Sequence, residues 1–349
     1  MPATIDKFLK AAVDKKASDL HILANLPPYL RIDGVLKPMP GETPLSAAKI
    51  KELIYNILSD KQKSKIENAR ELDMSYDIGD QARFRVNISW EKDSLSLVAR
   101  VIQSKIPTLE DIGMPSIVSE LLNLKQGLIL VTGPTGCGKS TSLAAMIDVI
   151  NHERNAHIIT LEDPIEFIYT PAKSIIRQRQ LGSDMVSFAE GLKHALRQDP
   201  NVILVGEMRD LETIASTITL AETGHLVLAT LHTLNAAQTV DRIIDVFPPY
   251  QQPQVRLQLS LFLKAIVSQF LLPKAGGGRV AAREVLLNTP AVANLIRENK
   301  IAQIKGTIQT SAEDGMFSMD QDIKRLFEER AIDKDVAVAH MTNPENLAR

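Results

Sequence analysis

The stretch GPTGCGKST, Gly133 to Thr141, is the strongest indication of the fold of this chain. It follows the apolar run LILV and precedes SLAAMIDVI, which has a helical pattern. Glycines let backbone N–H groups approach a phosphate, and the start of the following helix adds partial positive charge. The pattern GxxxxGK[ST] therefore predicts a phosphate-binding loop between a buried strand and a helix, and ATP as its ligand. The alternative is a glycine turn that binds nothing.

All residues of this loop are candidate nucleotide-binding residues. We expect Lys139 to reach the β- and γ-phosphates and Ser140 to bind Mg²⁺, so that ATP and Mg²⁺ occupy the site together. The predicted set is Gly133, Pro134, Thr135, Gly136, Cys137, Gly138, Lys139, Ser140 and Thr141.

Short apolar strands alternate with helices on both sides of the loop. The strands are GLILVTG, HIITLED, SIIRQRQ, NVILVGE and LVLATLH, and helices are expected after Gly138, Ser187, Asp210 and Asn235. This alternation predicts an α/β fold with a mainly parallel sheet covered on both faces. Beyond Pro249 we predict a helical region through QVRLQLSLFLKAIVSQFLL, then a strand at RVAAREVLL and helices near Pro290 to Asn299 and Ser318 to Glu329.

The first hundred residues have a different pattern. A helix is predicted near Ile5 to Lys15, then strands at DLHILA, YLRI and VLKPM with a turn at Asp33-Gly34, and helical segments between Ser46 and Asn68. LDMSYDI, ARFRVNISW and LSLVARVI alternate apolar and polar residues, with a turn at Gly79-Asp80, and predict an antiparallel meander. We therefore expect a first domain at 1–102, a linker at 103–115 and the loop-bearing domain at 116–349.

Composition restricts the partners and the compartment. Forty basic and 42 acidic residues give a formal charge of −2, which provides no general attraction to nucleic acid or anionic lipid. The single cysteine, Cys137, cannot form an intramolecular disulfide and suits a reducing compartment. No signal-peptide pattern and no uninterrupted apolar run long enough to span a membrane is present. The sequence predicts a cytoplasmic protein with protein partners and no nucleic acid.

Two strands of the predicted sheet end in acids. NVILVGE places Glu207 beside the loop at the carboxyl edge, where it is suited to orient or deprotonate an attacking water. Gly206 stands where an aspartate usually precedes such a glutamate. HIITLEDPIEF ends in Glu162, Asp163 and Glu166, whose charges a bound Mg·ATP would compensate. The alternative for these three is a solvated acidic loop.

Histidines and arginines complete the candidate set. His225 precedes and His232 follows the strand LVLAT; either is a structural hydrogen-bonding residue, or His232 senses the γ-phosphate. Arg83 and Arg85 share one face of a strand, with Arg100 on the next strand. They form a solvated face or, if a domain or a neighbouring subunit closes over the nucleotide, act as arginine fingers.

Four motifs in order carry a resemblance. With LEDPIEF, RQDPNVILVGEMRD and GHLVLATLHT after GPTGCGKST, the chain resembles the type II/IV secretion ATPase superfamily, and these stretches look like its Asp box, Walker B and His box. ASDLHILANLPPYLRIDGVLKP and NLIRENKI are similar to the PilT-like retraction ATPases of type IV pili.

The resemblance implies a homohexamer of two-domain subunits, each with a smaller PAS-like α+β domain and a RecA-like P-loop ATPase domain. It implies docking on an inner-membrane pilus platform protein, peripheral to that membrane, with other pilus ATPases as further partners. Glu166 and Glu207 are then the catalytic acids, with Glu166 also a ligand of the metal together with Ser140. By the same resemblance His225 and His232 are His-box residues, and the arginines, Arg83, Arg85 and Arg100, contact phosphates.

The function implied is an ATPase motor for pilus retraction and twitching motility. An accessory retraction motor and a pilus-assembly or type II secretion ATPase remain alternatives, although assembly relatives usually carry a four-cysteine zinc insertion that this chain lacks. A non-hydrolysing nucleotide-dependent regulator is the alternative from another class. The near-neutral charge disfavours a nucleic-acid translocase.

Overall fold

The computed structural model describes residues 5–32, 34–79, 82–102 and 106–347. The chain divides into two compact units, Met1–Lys105 with Glu166–Ile168, and Ile106–Ile165 with Tyr169–Arg349. Asp33, Asp80 and residues 103–105 of the predicted linker lie outside the described residues, and with them parts of both predicted turns.

The first unit contains an antiparallel sheet in the order β3-β2-β1-β6-β5-β4. Its strands are β1 (Asp19–Ile22), β2 (Tyr29–Ile32), β3 (Val35–Pro38), β4 (Glu71–Ile78), β5 (Ala82–Glu91) and β6 (Ser94–Ile102). Its helices are α1 (Ile5–Asp14), α2 (Ala47–Tyr55) and α3 (Asp60–Ala69). The predicted meander is confirmed as β4, β5 and β6.

Alternation on β5 explains how this sheet forms its core. Phe84, Val86 and Ile88 are fully buried, whereas Arg83 is half-buried and Arg85 exposed on the other face. Side chains two residues apart share a face of a strand, so one face of β5 packs against the helices and the other is polar.

The second unit is built on a seven-stranded sheet in the order β13-β12-β7-β11-β10-β8-β9. Its strands are β7 (Gly127–Thr132), β8 (His157–Glu162), β9 (Ile175–Gln180), β10 (Val202–Val205), β11 (Leu226–Leu231), β12 (Leu263–Pro273) and β13 (Arg279–Leu287). All neighbouring pairs are parallel except β12 with β13. The predicted α/β fold with a mainly parallel sheet is confirmed.

Helices pack around this sheet, and several begin where the sequence predicts. The helices are α4 (Ser116–Leu121), α5 (Lys139–Glu153), α6 (Phe188–Ala195), α7 (Leu211–Glu222), α8 (Ala236–Asp245), α9 (Gln252–Phe262), α10 (Pro290–Arg297), α11 (Ile304–Thr310), α12 (Met319–Glu328) and α13 (Lys334–His340). Ser187, Asp210 and Asn235 each accept a hydrogen bond from the third backbone N–H of the helix that follows. Such caps satisfy N–H groups that the helix itself leaves without a partner.

The helical prediction for QVRLQLSLFLKAIVSQFLL is wrong in its second half. Helix α9 ends at Phe262, and Leu263 begins β12, which lies between β7 and β13. A strand buried on both faces is continuously apolar, so periodicity does not separate it from a buried helix. Ile266 and Val267, both β-branched and fully buried, favour the strand.

Candidate active site

The phosphate loop joins β7 to α5, as predicted. Gly133, at its start, has φ +142°, and a Cβ there would lie 2.3 Å from the Gln269 carbonyl oxygen and 2.7 Å from Sγ of Cys137. No side chain fits such a space, and the backbone conformation also requires glycine. The first glycine of the motif is therefore set by close packing of the loop against β12.

Lys139 places a positive charge against the first residues of the phosphate loop. Its Nζ donates to the carbonyl oxygens of Gly133 at 2.8 Å and Pro134 at 3.0 Å. Helix α5 begins at the same residue, so its N-terminal N–H groups add partial positive charge beside the ammonium group. The loop therefore fits a phosphate group in both shape and charge.

Two other loop residues differ in their surroundings. Ser140 is half-buried in the first turn of α5, where its hydroxyl is a candidate metal ligand. Cys137 is buried, and burial raises the pKa of its thiol, so it remains an uncharged packing residue near neutral pH.

Within residues 5–32, 34–79, 82–102 and 106–347, no group of three or more His, Cys, Asp or Glu side chains is arranged to hold a metal ion.

The chain after β10 carries Glu207 and is fixed to both neighbouring strands. Gly206 N–H donates to Leu161 at 2.8 Å, and Met208 N–H donates to Thr230 at 3.1 Å. A Cβ on Gly206 would lie 3.0 Å from the Leu161 oxygen and 3.2 Å from Cα of Glu162. Contacts this short leave little room for the aspartate that usually stands at this position.

Glu207 belongs to a cluster of charged side chains. Its carboxylate lies 2.8 Å from Nη2 of Arg209 and 3.1 Å from Nε2 of His232, and Nη1 of Arg209 lies 3.7 Å from Asp163. Arg209 was not among the predicted site residues. It stands two residues after Glu207 in GEMRD, a spacing that places both side chains on the same side of an extended segment.

The charges around Glu207 keep it ionised. Burial alone would raise the pKa of its carboxyl group, but the hydrogen bond and charge of Arg209, together with His232 and Lys139, outweigh burial and lower the pKa below its usual value. An ionised carboxylate at neutral pH can accept a hydrogen bond from water and take its proton.

The strand order brings these groups to one edge. Strands β7, β11, β10 and β8 are neighbours, and the phosphate loop, His232, Glu207 and Asp163 follow their carboxyl ends in that order. Two strand spacings separate the loop from Glu207, roughly 10 Å at about 4.8 Å each. A phosphate group and a water fit in that distance, and His232 lies between.

Two other predicted residues of the second unit, His225 and Glu162, make hydrogen bonds outside the cluster around Glu207. His225 precedes β11, roughly 23 Å of extended chain from His232, and its Nδ1 lies 3.0 Å from the carbonyl oxygen of Leu220 near the end of α7. The structure therefore does not bring His225 to the phosphate loop of the same chain. Glu162 is buried and accepts hydrogen bonds from Thr160 at 2.6 Å and Gln178 at 3.2 Å.

The remaining candidates belong to the first unit. Glu166 is exposed and is grouped with that unit. Arg85 lies directly opposite Arg100 on β5 and β6, and Nε of Arg100 donates to Asp19 at 2.8 Å. Arg83 lies 3.4 Å from Asp77. Arg85 and Arg100 therefore place two positive charges side by side, one of which is paired with the carboxylate of Asp19.

Comparison with known proteins identifies the family. Residues 1–276 match the family model of the type II/IV secretion system protein. The chain belongs to this family. It is 46% identical over 343 residues to the type IV pilus retraction ATPase PilT of Pseudomonas aeruginosa, covering 98% of this chain and 99% of that protein. It is 45% identical over 346 residues to the twitching motility protein of Neisseria gonorrhoeae, covering 99% and 92%.

A solved structure agrees along almost the whole chain. The crystal structure of the pilus retraction motor PilT with bound ADP superposes with a TM-score of 0.94 at 44% identity, covering 99% of both chains. The resemblance found in the sequence, and the assignment to the ATPases of this family, are confirmed. In the described parts of the chain, no helix combines the length and the apolar character needed to cross a membrane.

Proposed function

We propose that this chain is an ATP-hydrolysing motor that powers type IV pilus retraction, and through it twitching motility. Hydrolysis is supported above all by the Glu207 carboxylate, which Arg209 and His232 keep ionised at the edge that carries the phosphate loop. Retraction is supported by the nearly full-length similarity to a retraction ATPase and a twitching motility protein. The working form is a homohexamer at the cytoplasmic side of an inner-membrane platform protein.

Five residues have specific roles in this proposal. Lys139 binds the β- and γ-phosphates, and the Ser140 hydroxyl holds Mg²⁺, with Glu166 as a further ligand. When bound, Mg²⁺ supplies positive charge that offsets the charge of the phosphates. Glu207 orients the attacking water and takes its proton, while His232, 3.1 Å from Glu207, responds to the γ-phosphate.

The roles of the other candidates rest on motif similarity. Arg83, Arg85 and Arg100 contact phosphates, either in their own chain or in a neighbouring subunit, and His225 acts as a His-box residue. The domain organisation that goes with these roles is a PAS-like domain at 1–102, a linker at 103–115 and a RecA-like domain at 116–349.

Hydrolysis is tested by phosphate release from the purified full chain. Glu207→Gln should lower kcat by about a hundredfold or more while ADP still binds, because the loop is unchanged. Glu153→Gln, exposed at the far end of α5, is the matched control and should keep wild-type kcat. A Glu207→Gln protein with the wild-type rate would overturn this role, and a wild-type chain that binds ATP without releasing phosphate would be a regulator.

Direction is tested in cells. Deletion of the gene should leave excess surface pili and abolish twitching, and a Lys139→Ala copy should fail to restore it. Loss of surface pili on deletion would instead identify an assembly ATPase. Deletion with twitching preserved would identify an accessory motor.

A further inference from the structure

Gln269 lies in β12, the strand that the sequence predicted as helix, and contacts the phosphate loop with both ends of its side chain. Nε2 donates to the Cys137 carbonyl oxygen at 2.7 Å, and Oε1 accepts from the Ser142 hydroxyl at 2.8 Å. Its side chain is 1% exposed. A carbonyl oxygen can only accept, so the amide nitrogen must face Cys137 and the orientation of the amide is fixed.

The same residue borders the loop at both ends of the motif. The Gln269 carbonyl oxygen occupies the space that a Cβ on Gly133 would enter, at 2.3 Å. Its Nε2 would lie 3.3 Å from a Cβ on Gly138. One residue of β12 therefore limits the space beside both the first and the last glycine of GPTGCG.

The hydrogen bond from Gln269 to the Cys137 carbonyl oxygen fixes the direction of the N–H group of the same peptide, that of Gly138. A trans peptide is planar, and its C=O and N–H point in opposite directions. Because the Cys137 oxygen points to the Gln269 side chain, the N–H of Gly138 points away from that side chain. Backbone N–H groups at that position are the ones that bind phosphate in such loops.

We propose that Gln269 is a positioning residue of the phosphate loop, which fixes the 137–138 peptide so that the Gly138 N–H faces the bound nucleotide's phosphates. This inference rests on the proposed nucleotide binding by the loop. It assigns a role to a residue outside the four motifs, 132 positions along the chain from Cys137.

The test compares three variants of the full chain by ADP binding and steady-state kinetics. Gln269→Met keeps the length and volume of the side chain but cannot donate a hydrogen bond. It should raise the Kd for ADP and the KM for ATP about tenfold with a smaller change in kcat, because the loop binds phosphate before and during the reaction. Ser142→Ala keeps the bond to Cys137 and should change the Kd by less than about threefold.

Ser268→Ala is the stability control. Ser268 is fully buried beside Gln269, and its hydroxyl lies 2.9 Å from the hydroxyl of Thr132 in β7, so Ser268→Ala removes a buried hydrogen bond between β12 and β7 without touching the loop contacts of Gln269. It should lower Tm while leaving the Kd for ADP near the wild-type value. If Gln269→Met does not fold, Gln269→Leu, which also cannot donate to Cys137 and carries no charge, replaces it with the same expected Kd.

Three outcomes would overturn the inference. The first is a Kd of Gln269→Met within about twofold of wild type, and the second is a loss of affinity in Ser268→Ala equal to that in Gln269→Met. The third is failure of both Gln269 variants to fold, which would make the residue purely structural. Failure of the wild-type chain to bind ADP would instead overturn the proposed function, so the two failures are distinguishable.

Discussion

Nη2 of Arg209 lies 2.8 Å from a Glu207 oxygen while Nη1 of the same guanidinium lies 3.7 Å from Asp163, so one side chain connects the ends of β10 and β8. Arginine suits this place because its planar group can contact two carboxylates at once. The contact both orients Glu207 and keeps it charged.

Removal of Arg209 should change the pH dependence of the ATPase. Burial raises the pKa of Glu207, and the two largest effects that lower it are the hydrogen bond and the charge of Arg209, both of which are lost in Arg209→Gln. Glu207 would then take up its proton at higher pH, so the acid limb of kcat should move to higher pH. Steady-state rates between pH 4.5 and 8 measure this, at roughly half-unit steps. Arg242→Gln, exposed on α8, is the control, and an acid limb that stays in place would contradict the assignment.

Lys139→Ala should raise the Kd for ADP at least about tenfold. The loop would lose the ammonium group that lies over the Gly133 and Pro134 carbonyls. A charged hydrogen bond to phosphate contributes about 1.5–3 kcal/mol, or at least a tenfold change in Kd. Calorimetric titration with ADP measures it. Lys173→Ala removes an exposed lysine from the same unit, and equal weakening in both variants would argue against a specific phosphate contact.

Gly206→Ala should destabilise the protein although it adds a single methyl group. The new Cβ would press on the Leu161 oxygen at 3.0 Å and on the Glu162 backbone at 3.2 Å, at a cost of about 1–3 kcal/mol. Gly306→Ala, in α11 with no heavy atom within 4 Å of the new Cβ, should instead stabilise by about 0.5–1 kcal/mol. Thermal unfolding shows the two opposite shifts of Tm. A Gly206→Ala protein as stable as wild type would mean that β8 moves aside easily.

Arg283→Met should lower stability by about 2 kcal/mol or more, since it leaves two carbonyl oxygens without their donor. The buried Arg283 donates to Ile112 at 2.8 Å and Gly113 at 2.7 Å, and burial lowers the pKa of its guanidinium to about 10. Urea unfolding followed by circular dichroism gives the change in midpoint. Arg279→Met, exposed at the start of β13, should have little effect on the midpoint. Equal losses of stability in the two variants would contradict a specific contribution from the buried contacts of Arg283.

Local signals in the sequence were sufficient for much of the fold. Ser187, Asp210 and Asn235 mark helix starts because a cap is made with backbone three residues away. The loop and Glu207 were found because glycines and an acid at strand ends have direct chemical meaning. The spacing of Arg209 to Glu207, two residues along an extended segment, is also a local signal for their contact.

Long-range packing was not readable in the same way. LKAIVSQFLL has apolar residues on both faces of a strand, so its hydrophobic periodicity does not distinguish a central strand from a buried helix. The contact of Gln269 with Cys137 joins residues far apart in the chain, and no spacing rule predicts it. The close approach of Gly206 to β8 likewise depends on how two strands meet.

Gln269 and Arg283 are directly paired across β12 and β13, and paired residues of antiparallel strands project from the same face. The Gln269 side chain donates a hydrogen bond to Cys137 of the phosphate loop. The Arg283 side chain donates to Ile112 and Gly113, near the start of the second unit. The side chains of one strand pair therefore connect residues 112 and 113 to the phosphate loop. In the proposed motor this is a direct structural link between the start of the second unit and the predicted nucleotide site.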